Sequence, residues 1–287
     1  MTHQNSAAGS VVGGMLLVAG SCIGAGMLAL PILTGLAGFF PSLSMLLLSW
    51  AFMTFTGLLL IEVNGWFDAQ VNLVSMSKEA LGQKGRWTAW IAYLFLFYSL
   101  LVAYTAASGS IFSAILDSLF AIAVPPWAAS IFFTALFGII VYLGTRPVDL
   151  FNRVLMVGLI VTYLGMIGLG ITRIDPQLLL FSAPQYTLLS LPVLVVSFGF
   201  QNMIPSLTAY MKGDLKRVRL TILGGGLIAL VIYLVWSILV LGVVHPTAIQ
   251  QSYQNGEEAT IALRAVLGST AISHFAQGFA FFAIVTS

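Results

Sequence analysis

A succession of apolar runs constrains this chain more than any other feature, because about 20 apolar residues in a helix cover the hydrocarbon thickness of a bilayer. The runs lie at about Ser10 to Leu33, Phe40 to Ile61, Thr88 to Leu116, Trp127 to Leu143, Leu150 to Ile171, Leu189 to Tyr210 and Thr221 to Val243, and an eighth begins near Ile272. Charged residues make up only 7% of the 287, against about a quarter in a soluble domain. The chain therefore reads as an all-α integral membrane protein whose first partner is the lipid bilayer. A net charge of +2, with no basic cluster beside aromatic residues, points to no nucleic-acid partner. Cys22 is the single cysteine, which excludes an internal disulfide and a multi-cysteine metal site. No cofactor is expected.

The N-terminal "MTHQNSAAGSVVGG" lacks the Lys and Arg of a signal peptide, so the first run reads as a retained span. Basic residues then set the orientation, since Lys and Arg near short loops stay on the inner face. With the N-terminus cytoplasmic, the inner loops hold Lys78, Lys84, Arg86, Arg146, Arg153, Lys212, Lys216, Arg217 and Arg219, and the outer loops only Arg173 and Arg264. Between Glu62 and Trp87, "VNLVSMSKEALG" places apolar residues at helical spacing and predicts a short helix on the inner surface, with an ordinary polar connector as the alternative. The closing "FAFFAIVTS" is apolar to its end, so the chain is expected to be part of a longer protein, truncated after seven spans and the start of an eighth.

Two spans carry interruptions. In the first, "GSCIGAGMLALP" sets Gly20, Gly24 and Gly26 around Ser21 and Cys22, and each glycine costs about 1 kcal/mol of helix propensity against alanine. In the sixth, "LPVLVVSFGFQNMIPSLTAY" places Ser197, Gly199, Gln201 and Asn202 in an apolar run, with Pro205 beyond them. Irregular backbone at membrane depth survives only where protein or a water-filled cavity satisfies the freed groups. The second break is expected at Phe198 to Asn202, with Asn202 capping a new half-helix. Spans one and six lie five apart, so equivalent positions in two repeats imply repeats of opposite orientation, the pattern of secondary transporters. In the first break, unwound carbonyls over Gly20 to Ile23 can accept an ammonium group or a cation, and N–H groups near Ala25 to Met27 can meet a carboxylate. Gly20 and Gly24 also form a GxxxG pair, which alone would read as close helix packing. "GAGMLA" matches a dinucleotide fingerprint in letters but follows no soluble strand, and Trp50 stands where the ribose-binding acid should be.

At these two stretches, and at "LLLIEVN" and "KRVRLTILGGGLIALVIYLVW", the sequence resembles the bacterial hydroxy and aromatic amino acid permeases of the amino acid-polyamine-organocation superfamily, above all the tyrosine- and tryptophan-specific members. The resemblance implies a LeuT-type inverted-repeat transporter fold forming a single transmembrane domain over 1–287, with a first repeat at about 10–172 and a partial second at about 189–287. It also implies inner-membrane uptake of an aromatic amino acid by ion-driven symport. Many members carry His-Gly after "SFGF" where this chain has Gln201 and Asn202, which leaves open which aromatic amino acid is taken.

The expected substrate-binding residues are Gly20, Ser21, Cys22, Ile23, Gly24, Ala25 and Gly26 in span one, and Ser197, Phe198, Gly199, Phe200, Gln201 and Asn202 in span six. Phe198 or Phe200 would meet the substrate ring, and buried amides at Gln201 and Asn202 need partners. Tyr98 and Tyr104 join them from span three, which packs beside the broken helices in this fold. For the driving ion, the resemblance favours protons. Carbonyls at Gly20 and Ile23 with hydroxyls of Thr286 and Ser287 leave sodium open, and Glu62, at the inner end of span two, is the nearest carboxylate. A substrate sensor or partner-binding protein with the same fold is the alternative function. An enzyme is not expected, because His3, His245 and His274 lie at chain or span ends without a carboxylate cluster. The sequence leaves oligomeric state unknown.

Overall fold

In the computed structural model the described residues are 9–67, 71–120, 123–142, 145–268 and 270–286. Among them the regular structure is helical, with one isolated bridge between Gly38 and Ser182. The helices are α1 (Val11–Cys22), α2 (Ala25–Gly35), α3 (Phe39–Asn64), α4 (Leu73–Phe120), α5 (Pro126–Tyr142), α6 (Thr145–Gly170), α7 (Leu191–Ser197), α8 (Ile204–Tyr210), α9 (Leu215–Val243), α10 (Pro246–Asn255), α11 (Ala259–Leu267) and α12 (Thr270–Val285). Every apolar run read from the sequence is occupied by a helix or by a broken pair. Among the described residues, five segments are long and apolar enough to cross a membrane, the broken pair α1 and α2 adds a sixth, and α5 and α12 hold shorter apolar helices. Large apolar side chains such as Phe52, Phe55, Phe95 and Ile131 face outward. Such a surface is unfavourable in water and neutral in lipid, so the chain is a multi-pass membrane protein.

The predicted surface helix is present as the first turns of α4, up to Leu81. Gly82 then takes φ +70° and ψ −161°, values that only glycine holds without strain, and the chain turns into the third span.

The chain divides into two compact units. One comprises Met1–Ile23, Leu43–Phe95 and Leu191–Leu234; the other comprises Gly24–Ser42, Leu96–Ser190 and Val235–Ser287. In the first unit, α1 lies against α9 at glycines. A Cβ on Gly225 would stand 2.6 Å from Val18 Cβ and 2.8 Å from the Met15 carbonyl, while one on Gly224 would meet only the flexible end of Met15. Close approach of backbones through small residues is the usual helix contact in lipid, where apolar burial alone gives no drive. At the end of α8, the Arg217 guanidinium donates to the Gly9 carbonyl at 2.6 Å, and the Gly9 N–H donates to the Tyr210 carbonyl at 2.9 Å.

In the second unit, α12 packs along α6, with Phe275 over Gly165 and Phe282 over Gly158. Phe279 lies between Tyr163 and Trp236, at ring separations of 5.7 and 5.4 Å. Helix α2 contains Pro31. Proline has no N–H, so the carbonyl four residues earlier, that of Met27, loses its helical donor. The indole Nε1–H of the fully buried Trp236 donates to that same carbonyl at 2.9 Å. Beyond α2, Gly38 has φ +89°, and a Cβ there would stand 2.1 Å from the Phe181 carbonyl oxygen. The Ala183 N–H donates to the Ala37 carbonyl beside it.

The stretch between α9 and α12, read from the sequence only as an outer loop, contains two amphipathic helices, α10 and α11, both packed on α2. His245 caps α10 with Pro246 in its first turn, and Gly256 and Gly268 end the two helices in the left-handed conformation. Glu258, at the N-cap of α11, is partly covered. Burial pushes its carboxyl up to about 7, an effect that a hydrogen bond with Thr260 partly offsets.

Three outcomes follow from this packing. Trp236→Phe should lower thermal stability in detergent by about 1–3 kcal/mol, the cost of an orphaned buried carbonyl, and the loss should shrink in a Pro31→Ala background, where an N–H returns to Met27. Gly225→Ala should cost about 1–3 kcal/mol, whereas Gly138→Ala, with open space around its Cβ, should be neutral or slightly stabilising. The folded pKa of Glu258 lies above the ordinary 4.5, so the folded state holds this proton more tightly. Its stabilising contribution is complete below about pH 4.5 and lost as pH rises through about 7, so Glu258→Gln should flatten melting temperature against pH across that window.

Candidate functional site

The first interruption is shorter than the glycine pattern suggested. Helix α1 continues through Gly20, Ser21 and Cys22, and only Ile23 (φ −81°, ψ 88°) and Gly24 (φ −142°, ψ −156°) leave helical geometry. The expectation of an unwound segment from Gly20 is thus corrected. One glycine suffices, since in lipid every residue kept helical satisfies its own backbone groups. The Ile23 N–H still bonds to the Ala19 carbonyl, and α2 restarts with the Met27 N–H on the Gly24 carbonyl. Ala25 and Gly26 supply the first-turn N–H groups of α2, which have no partner inside the helix. The Ser21 hydroxyl donates back to the Val18 carbonyl at 2.8 Å, which leaves Cys22, nearly fully buried, as the inward side chain of this turn.

The second interruption falls where the sequence placed it. Helix α7 ends at Ser197, Phe198 to Phe200 form a tight turn, Gln201–Met203 form a single 3-10 turn, and α8 begins at Ile204. Met203, not Asn202, occupies the N-cap, and no side chain caps this end. The extra 3-10 turn moves the helix start by one residue, and Pro205 remains in the first turn, where its missing N–H costs nothing. Asn202 is exposed, as is the backbone at Gly199. The Gln201 amide reaches back to α3, donating to the Met53 carbonyl at 3.1 Å and to the Thr56 hydroxyl at 3.3 Å. Phe200 is fully buried over Gly57 of the same helix.

The ends of α1 and α7 converge on a residue that the sequence reading did not single out. The hydroxyl of Tyr233, in α9, donates to the Cys22 carbonyl and lies 2.9 Å from the Ser197 carbonyl. The Tyr233 ring is fully buried and meets Phe198 edge to face, with ring centroids 5.2 Å apart. Ser197 is 2% exposed, and its hydroxyl has no hydrogen-bond partner among the described residues. Cys22, Ser197, Phe198 and Tyr233 thus meet at one buried point where both helices end. The signal was present in "YLVW": a tyrosine and a tryptophan one turn apart in the middle of an aliphatic span each bring a polar tip that needs a partner.

The remaining candidates lie elsewhere in the chain. Gly24, Ala25, Gly26, Tyr98, Tyr104 and Thr286 belong to the other unit. Tyr98 is 64% exposed, whereas Tyr104 is partly buried. The Thr286 hydroxyl donates to the Phe282 carbonyl of its own helix at 2.7 Å. Glu62 is exposed near the end of α3, and Ser287 lies outside the described residues. No group of His, Cys, Asp and Glu suited to a metal ion occurs among the described residues.

The tryptophan/tyrosine permease family matches over residues 7–287. The chain is 32% identical to the tyrosine-specific transport system 1 of Haemophilus influenzae over 283 residues, covering 96% of this chain and 69% of that protein. It is 31% identical to the tryptophan-specific transport protein of the same organism, covering 96% of this chain and 68% of the relative. The tryptophan-specific transport protein of Pseudomonas aeruginosa is 32% identical over 242 residues, which cover 82% of this chain and 58% of that one. With two interrupted membrane helices and a family match over nearly its whole length, the chain belongs to the tryptophan/tyrosine permease family.

Proposed function

We propose that this chain forms the substrate-handling part of a secondary active transporter that brings an aromatic amino acid, tyrosine or tryptophan, across the bacterial inner membrane. Its family supports the substrate class, and its relatives are named for tyrosine and tryptophan. The observation that carries the mechanism is the pair of interrupted helices, in spans one and six, whose first halves both end on the Tyr233 hydroxyl. Discontinuous helices at corresponding positions are the binding devices of inverted-repeat carriers. The reading therefore includes a LeuT-type fold, repeats at about 10–172 and 189–287, and alternating access around a midplane site. Nine basic residues on one set of loops against two on the other support a cytoplasmic N-terminus.

In this proposal the zwitterion is read by the first break. The carbonyl end of α1 takes the ammonium group, and the first-turn N–H groups of Ala25 and Gly26 take the carboxylate, each drawn by the helix pole of opposite sign. The ring lies in the apolar surroundings of Phe198 and Phe200, both fully buried. Of the two α4 tyrosines, Tyr104 has the burial expected of a pocket residue. Gln201 acts by fixing the second break to α3. Protons are the proposed driving ion. The self-bonded Thr286 hydroxyl gives no support to a sodium site there.

In proteoliposomes, an inward proton gradient should drive accumulation of labelled tyrosine or tryptophan, and a sodium gradient alone should not. Amidating the carboxylate of the competing amino acid should weaken competition about tenfold or more, the loss of a charge-assisted bond. Accumulation under neither gradient would overturn the transport reading, and an amide that competes as well as the acid would overturn the role of the α2 N–H groups.

A further inference from the structure

Two helix ends meet Tyr233, yet a phenol carries one proton. The carbonyl terminus of a helix is its negative pole, and each terminal carbonyl in a dry interior needs a donor. The Cys22 and Ser197 carbonyls, one from each interrupted helix, therefore compete for a single O–H. The ring cannot swing away, because it is fully buried and held edge-on by Phe198, the residue next to Ser197. The Ser197 hydroxyl beside it has no hydrogen-bond partner among the described residues.

We propose that Tyr233 is a positioning residue whose one phenolic proton is shared between the terminal carbonyls of both interrupted helices, so that a cationic group claiming one carbonyl hands the proton to the other. Empty, the site spends the O–H on both carbonyls; loaded, the substrate ammonium takes one carbonyl and Tyr233 bonds fully to its neighbour. The hydroxyl thereby keeps the break at Cys22 closed and couples occupancy of one helix end to the other. The inference rests on the transport reading for its ligand but not for its geometry.

The chain's only cysteine, Cys22, supplies a probe independent of transport. Labelling of the detergent-purified full chain by N-ethylmaleimide should be slow in the parent, because Cys22 is 4% exposed. In Tyr233→Phe, which keeps the ring and deletes only the donor, labelling should be about tenfold faster, as local opening of an orphaned helix end becomes cheaper. Tyr253→Phe, on the exposed face of α10, should label like the parent. In uptake, Tyr233→Phe should raise KM about tenfold while Vmax falls less than about twofold, a split that general unfolding would not give. Tyr233→Met, which also lacks a donor, is read in the same way if Tyr233→Phe does not elute as a single species. Labelling at the parent rate in either folded variant overturns the role of Tyr233, whatever the uptake. A parent chain that accumulates no aromatic amino acid overturns the transport reading and leaves the labelling comparison to decide on Tyr233.

Discussion

Inside a bilayer no water is available to a backbone carbonyl, so a membrane helix can be interrupted only where some other group takes over the lost bond. Three interruptions in this chain are governed by that rule, and two neighbouring side chains on α9 answer all three. The Tyr233 hydroxyl serves the ends of α1 and α7, and the Trp236 indole serves the Met27 carbonyl that Pro31 leaves without a donor. Without such donors a broken helix would gain by closing into a regular one. The polar tips of two otherwise apolar aromatics thus hold irregular backbone within apolar spans.

The two breaks are not built alike. At the first, one glycine and one isoleucine interrupt a helix that resumes at once, and the freed groups are main-chain atoms on both sides. At the second, a turn and a 3-10 segment occupy six residues, and a side chain, Gln201, ties the segment to Met53 and Thr56 on α3. The second is flanked by Phe198 and Phe200, both fully buried.

Much of this was legible in the sequence, because hydropathy fixes spans when the solvent is lipid, and because glycine, proline and amides in an apolar run have few structural excuses. The eight runs, the surface helix before span three and the location of the second break all follow from that logic. Its failures have physical causes. Glycine content marked where a helix can break but not how little needs to, so Gly20 to Cys22 stayed helical. Helices α10 and α11 escaped because a hydropathy window sees their polar faces, while the Pro246 and Gly256 punctuation that delimits α10 lies between spans. Tyr233 escaped because a polar tip in an aliphatic span shows that a partner is needed but not which one, and its partners are main-chain carbonyls 36 and 211 positions away.

The three glycines at 224–226 look like one motif, but their surroundings make them three different constraints on sequence drift. At 225 the obstacles are a backbone carbonyl and a β-branched carbon, which cannot yield. At 224 the obstacle is the tip of Met15, a side chain able to find another rotamer. At 226 the nearest atoms are Trp50 Nε1 at 3.3 Å and Thr54 Oγ1 at 3.6 Å from a Cβ position, both buried polar atoms without partners. A serine there would need the Trp50 indole to give by a few tenths of an ångström and would bring a hydroxyl to two groups without a partner among the described residues. Over evolutionary time these identical letters should age at different rates: the middle one held, the first exchanged together with residue 15, and the third open to a small polar residue.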